Sequence, residues 1–96
     1  AQPSVLPDFD ARTGLTGTQL VHFLAWDEAT FLRMTEGSPI RRIGHARWLR
    51  NVAVALGNAW RETGQPELKA ALQSRADHPD AVVAEHVAWA LAQRAG

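Results

Sequence analysis

EGSPIRRIGHARWLRNVAVALGN, residues 36–58, sets four arginines (Arg41, Arg42, Arg47, Arg50) and Asn51 among Ile40, Ile43, Trp48, Leu49, Val52 and Leu56. The apolar residues recur at helical spacing, so the stretch reads as an amphipathic helix. On that helix Leu49, Val52, Ala53 and Leu56 form one face, while Arg47, Arg50, Asn51, Val54 and Asn58 share the other. Ser38–Pro39 marks its start, since proline in the first turn forfeits no hydrogen bond. The helix is expected to run to Leu56, with a bend at Gly44 and a left-handed stop at Gly57–Asn58.

Outward from this stretch, start signals follow at short intervals. Thr16 with Gln19 makes a capping box, with Leu15 and Leu20 as its hydrophobic staple, and opens a helix to about Ala25. Asp27 caps a second helix to about Thr35, with Trp26 and Phe31 as staple. Pro66 opens a fourth to about Arg75, and Asp77 or Asp80 caps a fifth from about Ala81 to Ala95. Residues 1–15, with Pro3, Pro7 and Gly14 and no apolar period, read as a linker, which leaves 16–96 as one helical domain. No strand pattern competes. The fold class is all-α with about five helices.

The third and fifth helices also resemble each other. Setting VAVALGN (52–58) against VAWALAQ (87–93) matches Val52 with Val87, Ala53 with Ala88, Ala55 with Ala90 and Leu56 with Leu91. A helix pair recurring at this spacing is the mark of a stacked α-solenoid, here with two repeat-like units. Two units are few for a solenoid standing alone. Chance similarity between Ala- and Leu-rich helices is the competing account.

Charge separates the chain into two parts. From Arg33 to Arg50 five basic residues meet one acid, giving +4, while the remaining five basic and nine acidic residues give −4. The formal net charge of zero is therefore a cancellation, and the cationic segment points to an anionic partner. Ninety-six residues make one domain, and 46% apolar residues with four tryptophans suffice for a small core. With no cysteine, the chain can supply neither a disulfide nor a thiolate ligand to a metal or iron–sulfur cluster. No apolar run approaches a membrane span and nothing reads as a signal peptide. Beginning at Ala1 rather than methionine, the chain reads as a piece of a longer protein, monomeric and cytoplasmic.

The string GS-x-IRRIG-x-x-RWLRN-x-AVALGN, preceded by WDEATFLRMTEG and followed by EHVAWALAQ, resembles the C-terminal region of epoxyqueuosine reductase over roughly residues 20–94. That family consists of cobalamin-dependent iron–sulfur oxidoreductases that perform the last step of queuosine synthesis in tRNA. The resemblance implies a HEAT-like helical repeat (an α-α superhelix) placed after a cobalamin-binding domain and a ferredoxin-like domain with two [4Fe-4S] clusters. Residues 1–15 would be the connection from the ferredoxin-like domain. The cluster cysteines and the acid of the cobalamin site have no counterpart here, so catalysis and both cofactors would belong to the parent and none to this chain. The partner implied is tRNA at its anticodon stem-loop.

The residues themselves leave the role of the arginines open. Arginine pairs two phosphate oxygens at once, asparagine can bond a sugar, phosphate or base edge, and RNA stems are read largely through backbone and shape. Arg47, Arg50 and Asn51 are thus candidate RNA contacts. Equally, Arg47 and Arg50 can pair with acids of a neighbouring helix or an absent domain. For Arg41 and Arg42, beside the Ser38–Pro39 turn, internal or interdomain pairing competes with RNA. Arg33 reads as solvated. Gly37–Ser38 is either an anion site or a helix cap.

Other constellations point to structure. His22, His45, His78 and His86 lack metal-ligand spacing, and no nucleophile motif accompanies the serines. Trp26, Trp48 and Trp89 sit at helix-packing positions and are expected in the core, whereas Trp60, after the Gly57–Asn58 stop, is expected half-exposed. The function expected is that of a helical domain helping an attached enzyme hold tRNA. The alternative is a structural module that docks on its neighbouring domain and has no RNA contact of its own.

Overall fold

Side-chain oxygens divide the chain into helices. The Thr16 hydroxyl accepts from the Gln19 N–H at 3.1 Å while the Gln19 side-chain carbonyl accepts from the Thr16 N–H at 2.9 Å, so the capping box forms as expected. Asp27 accepts from the Thr30 N–H at 2.8 Å, and Asp80 from the Val82 and Val83 N–H groups at 2.9 and 3.1 Å. In the computed structural model, which describes residues 16–95, these caps open α1 (Gly17–Leu24), α2 (Glu28–Met34) and α5 (Ala81–Leu91). The long α3 (Gly44–Thr63) and α4 (Pro66–Gln73) complete five α-helices, with no strand among the described residues. The linker assigned to 1–15 and the Leu15 staple lie outside the described residues.

Three expectations for the central stretch are corrected. Pro39–Ile43 is a separate 3₁₀ turn, and Gly44, at φ +83°, breaks it from α3 where a mere bend was expected. Only glycine adopts that backbone cheaply. The stop is Gly64 at φ +65°, not Gly57–Asn58, so α3 runs on to Thr63. Gly57 instead marks a point of close approach between helices, since a Cβ there would lie 2.8 Å from the Ala90 Cα and 3.0 Å from the Trp89 ring. With α3 continuing, Trp60 falls on its buried stripe and is 4% exposed, not half-exposed.

Helix directions follow from the cross-contacts. The Trp48 indole N–H donates to the Phe23 carbonyl at 3.2 Å and the His45 imidazole meets the Trp26 carbonyl at 2.7 Å, so α1 runs opposite to α3. Gly17 faces Leu68 and the Arg75 guanidinium donates to the Leu24 and Trp26 carbonyls at 3.1 and 2.9 Å, so α1 and α4 run together. Gly57 abuts Ala90, and the Arg61 guanidinium donates to the Gln93 side-chain carbonyl at 3.3 Å, so α3 and α5 also run together. Arg75 thereby satisfies carbonyls that the end of α1 would leave orphaned.

The core gathers around α3. Trp48, Leu49, Val52, Ala53 and Leu56 are fully buried with Phe31, Leu68, Leu72, Val83, Val87 and Ala90. Trp48 stacks on Trp26 at 5.1 Å with planes 8° apart, and Phe23 and Phe31 each approach it at 5.5 Å. Aromatic geometry of this kind adds about 0.5–1.5 kcal/mol per pair beyond area burial.

Two stability predictions rest on this packing. Trp48→Ala should cost about 3–5 kcal/mol, a fall of at least roughly 12 °C in Tm for a domain this size, readable by thermal circular dichroism. Gly57→Ala is a test of opposing signs. Alanine favours the helix by up to ~1 kcal/mol, but pressing a methyl into the Ala90 backbone costs about 1–3 kcal/mol, so the melt should shift downward. A rise in Tm would mean that α3 and α5 separate without penalty.

Candidate nucleic-acid interface

The chain turns a row of cations outward where the 3₁₀ turn passes into α3. Arg41 and Arg42 end that turn and are exposed or nearly so, as are Arg47 in the first turns of α3 and Asn51 one turn further on. They face outward because their neighbours at helical spacing, Trp48, Leu49, Val52 and Ala53, fill the core. Among the described residues, none of Arg41, Arg42, Arg47 or Asn51 has a side-chain hydrogen bond or ion pair. No side chain caps α3 and no acid lies in its first turn, so the positive end of its dipole stands beside Arg41, Arg42 and Arg47. Arg33 is exposed as well.

Arg50 differs from the others. It is half-buried, its Nε is shut away from solvent without a hydrogen-bond partner, and it contributes a favourable field at Asp80. The Ser38 hydroxyl accepts from the Ile40 N–H at 3.2 Å, which assigns Ser38 to capping the 3₁₀ turn. Three histidines commit a ring nitrogen to backbone: His45 to the Trp26 carbonyl, His86 to the Val82 carbonyl, and His78 as acceptor from the Asp80 N–H. No group of three His, Asp or Glu side chains that could hold a metal comes together among the described residues.

Trp89 is a further correction. Expected in the core, it is 43% exposed and lines a groove with Val54, Glu85 and His86. The buried stripe of α5 is Val83, Val87 and Ala90, at i, i+4 and i+7, which leaves Val82, Glu85, His86 and Trp89 on other faces. That spacing is present in the sequence, and so is the alignment of VAWAL with VAVAL, which sets Trp89 on Val54 of the arginine face. Val82 is exposed too, at 44%.

The chain is similar to epoxyqueuosine reductases. It is 67% identical to that of Alicycliphilus denitrificans over 97% of its own length and 27% of the relative's. It is 58% identical to that of Xanthomonas campestris pv. campestris, again over 97% of this chain and 25% of the relative. Against that of Escherichia coli (strain K12) the identity is 54% over 91% of this chain and 22% of the relative. The chain thus spans about a quarter of the length of these curated relatives. No family model matches it, and no solved structure does. Among the described residues no helix is long and apolar enough to cross a membrane.

The caps give a pH prediction. The Val83 N–H, then that of Val82, and the charges of His78 and Arg50 hold the Asp80 carboxyl below its ordinary value of 3.8; the Thr30 N–H does the same for Asp27. A carboxyl lowered in the folded state stabilises the fold above the ordinary value, and that stability is lost as pH falls through the lowered one. Acid titration followed by circular dichroism should show loss of helix below about pH 4, and Asp80→Ala should remove part of that acid dependence.

Proposed function

We propose that this chain is the C-terminal, HEAT-like part of an epoxyqueuosine reductase and that its Arg47, Arg50 and Asn51 face, flanked by Arg41 and Arg42, helps hold the tRNA anticodon stem-loop. The observation that carries the RNA reading is the row of exposed guanidinium groups of Arg41, Arg42 and Arg47, without protein partners among the described residues, at the start of α3, which no side chain caps; half-buried Arg50 borders this row. Phosphate suits that place twice, through the arginine forks and through the helix dipole. Identity of 54–67% to proteins named epoxyqueuosine reductase, of which this chain spans a quarter, supports the wider assignment. The parallel pair α3 and α5, with α1 and α4 running the opposite way, suits a two-unit HEAT-like stack.

Reduction of epoxyqueuosine, cytoplasmic location and the upstream ferredoxin-like and cobalamin-binding domains all belong to the parent protein in this reading. Cobalamin and the two [4Fe-4S] clusters do not fit the residues of this chain, which has no cysteine and, among its described residues, no clustered metal-ligating groups. The contribution of this part is binding, with no step of the chemistry routed through it.

A second reading has its own observation. Leu32 and Met34 on α2 are 39% and 46% exposed, apolar side chains that a neighbouring domain would cover. In this reading Arg41 and Arg42 serve interdomain contact without RNA.

Arg42→Glu with Arg47→Glu separates the two. Both side chains point away from the core, so the variant should stay folded, whereas reversing Arg50 would set a carboxylate against Asp80. The double variant should weaken binding of an anticodon stem-loop, and reduce the slope of log K against log salt by roughly 0.7–0.9 for each phosphate it no longer neutralises. The weakening should be similar across RNA sequences, since phosphate contacts position without specifying. In the full-length protein the pair should raise KM for tRNA more than it lowers kcat. Unchanged RNA affinity in a folded double variant would assign these arginines to interdomain docking.

A further inference from the structure

A groove runs between α3 and α5. Val54 forms one wall, and Glu85, His86 and Trp89 of α5 form the other, around a volume of about 270 Å³ open to solvent. This is below the ~300–1,000 Å³ of ordinary small-molecule pockets, and suits one flat ring better than a whole cofactor. The Trp89 ring is held beside Gly57, whose missing side chain lets α5 approach, and is 43% exposed. The other three tryptophans, Trp26, Trp48 and Trp60, are buried.

The groove continues the cationic face. Arg47, Asn51 and Val54 lie on one stripe of α3, with Arg47 seven residues, about 10 Å along the axis, from Val54. A polynucleotide strand lying along this stripe brings phosphate to the arginine end and a base to the groove end. Charge orders it the same way: Glu85 in the groove repels phosphate but accepts hydrogen bonds from a base edge. The His86 Nδ1 contacts the Val82 carbonyl at 2.7 Å, so in the neutral ring that donates this bond Nε2 is a further acceptor.

We infer that the α3–α5 groove seats one unpaired base of the bound RNA, stacked on Trp89, with the adjoining phosphates on Arg47 and Asn51. This rests on the RNA-binding reading above and adds to it a stacking residue and a class of nucleotide, single-stranded rather than paired. A protein partner fits less well, because the centre of a protein–protein contact is depleted of charge and Glu85 lines this groove. Stacking on an aromatic side chain needs no particular sequence, and alanine in its place costs about 5- to 150-fold in affinity per base.

The test compares the 96-residue chain with Trp89→Ala and Trp89→Phe on two probes, an RNA hairpin with an unpaired loop and a blunt RNA duplex. Circular dichroism checks that both variants keep the fold. Trp89→Ala should weaken hairpin binding about 5- to 150-fold and leave duplex affinity and the salt slope of binding unchanged, while Trp89→Phe keeps most of the hairpin affinity. Because the other tryptophans are buried, acrylamide reaches Trp89 first, and the hairpin should protect its emission where the duplex does not. Equal hairpin affinity in folded Trp89→Ala, or an equal weakening on both probes, overturns the inference. An unsubstituted chain that binds neither probe sinks the RNA reading and this one with it. Salt-dependent binding that Arg42→Glu with Arg47→Glu abolishes but Trp89→Ala leaves intact sinks the groove alone. Unaltered RNA affinity with a lower Tm only in the full-length protein gives the groove to interdomain contact, and also overturns it.

Discussion

The indole of Trp48 is the contact on which the arrangement of this molecule turns. It is fully buried, stacked on Trp26, edged by Phe23 and Phe31, and its N–H is satisfied by the Phe23 carbonyl. One side chain of α3 therefore fixes the end of α1, the loop after it and the middle of α2. A buried indole with an unmet N–H would be costly, and the polar bond removes that cost while fixing register. His45, one turn earlier, and Arg75, from the end of α4, converge on the carbonyls of the same corner. The corner is apolar inside and closed by polar side chains outside.

Packing of this kind also decides what faces water. Arg47 precedes Trp48 in sequence, and on a helix the next residue points about a quarter-turn away. Trp48 and Leu49 are both held inward, and Arg47, about 200° round the helix from Leu49, is thereby held outward. The same geometry divides the arginines. Arg47 looks to solvent, whereas Arg50 is half-buried and adds a minor favourable charge at Asp80, whose carboxylate accepts from two N–H groups of α5. Arg94 has a comparable position at the other end of α3, 5.8 Å from the centre of the Trp60 ring, with its guanidinium donating to the Arg61 carbonyl at 3.0 Å.

Gly57 and Trp89 belong to one event. The absence of a side chain at Gly57 lets α5 close on α3 at Ala90, and that approach places the Trp89 ring at the lip of a groove rather than between helices. A glycine within a long helix carries a penalty of up to ~1 kcal/mol in helix propensity. Here close helix contact offsets it, and a surface suited to a flat partner is the by-product.

Much of this was legible in the chain. The capping oxygens of Thr16, Asp27 and Ser38, the start at Pro66, the all-α class and the burial of Trp26 and Trp48 follow from local chemistry, since a cap bonds within three residues and an amphipathic stripe repeats every turn or so, while the choice of Asp80 over Asp77 as the cap of α5 was left to the structure. So does the separation of charge that makes residues 33–50 cationic. What α3 does beyond Leu56 was not legible, because Gly57 serves equally as a stop or as a place where another helix comes close, and only the position of Ala90, thirty-three residues later, decides between them. The same holds for the outward turn of Trp89 and the inward turn of Arg50. Sequence determines which residues can cap, bury and carry charge; the docking of α5 on α3 decides which of them meet, because those contacts join residues that no local pattern links.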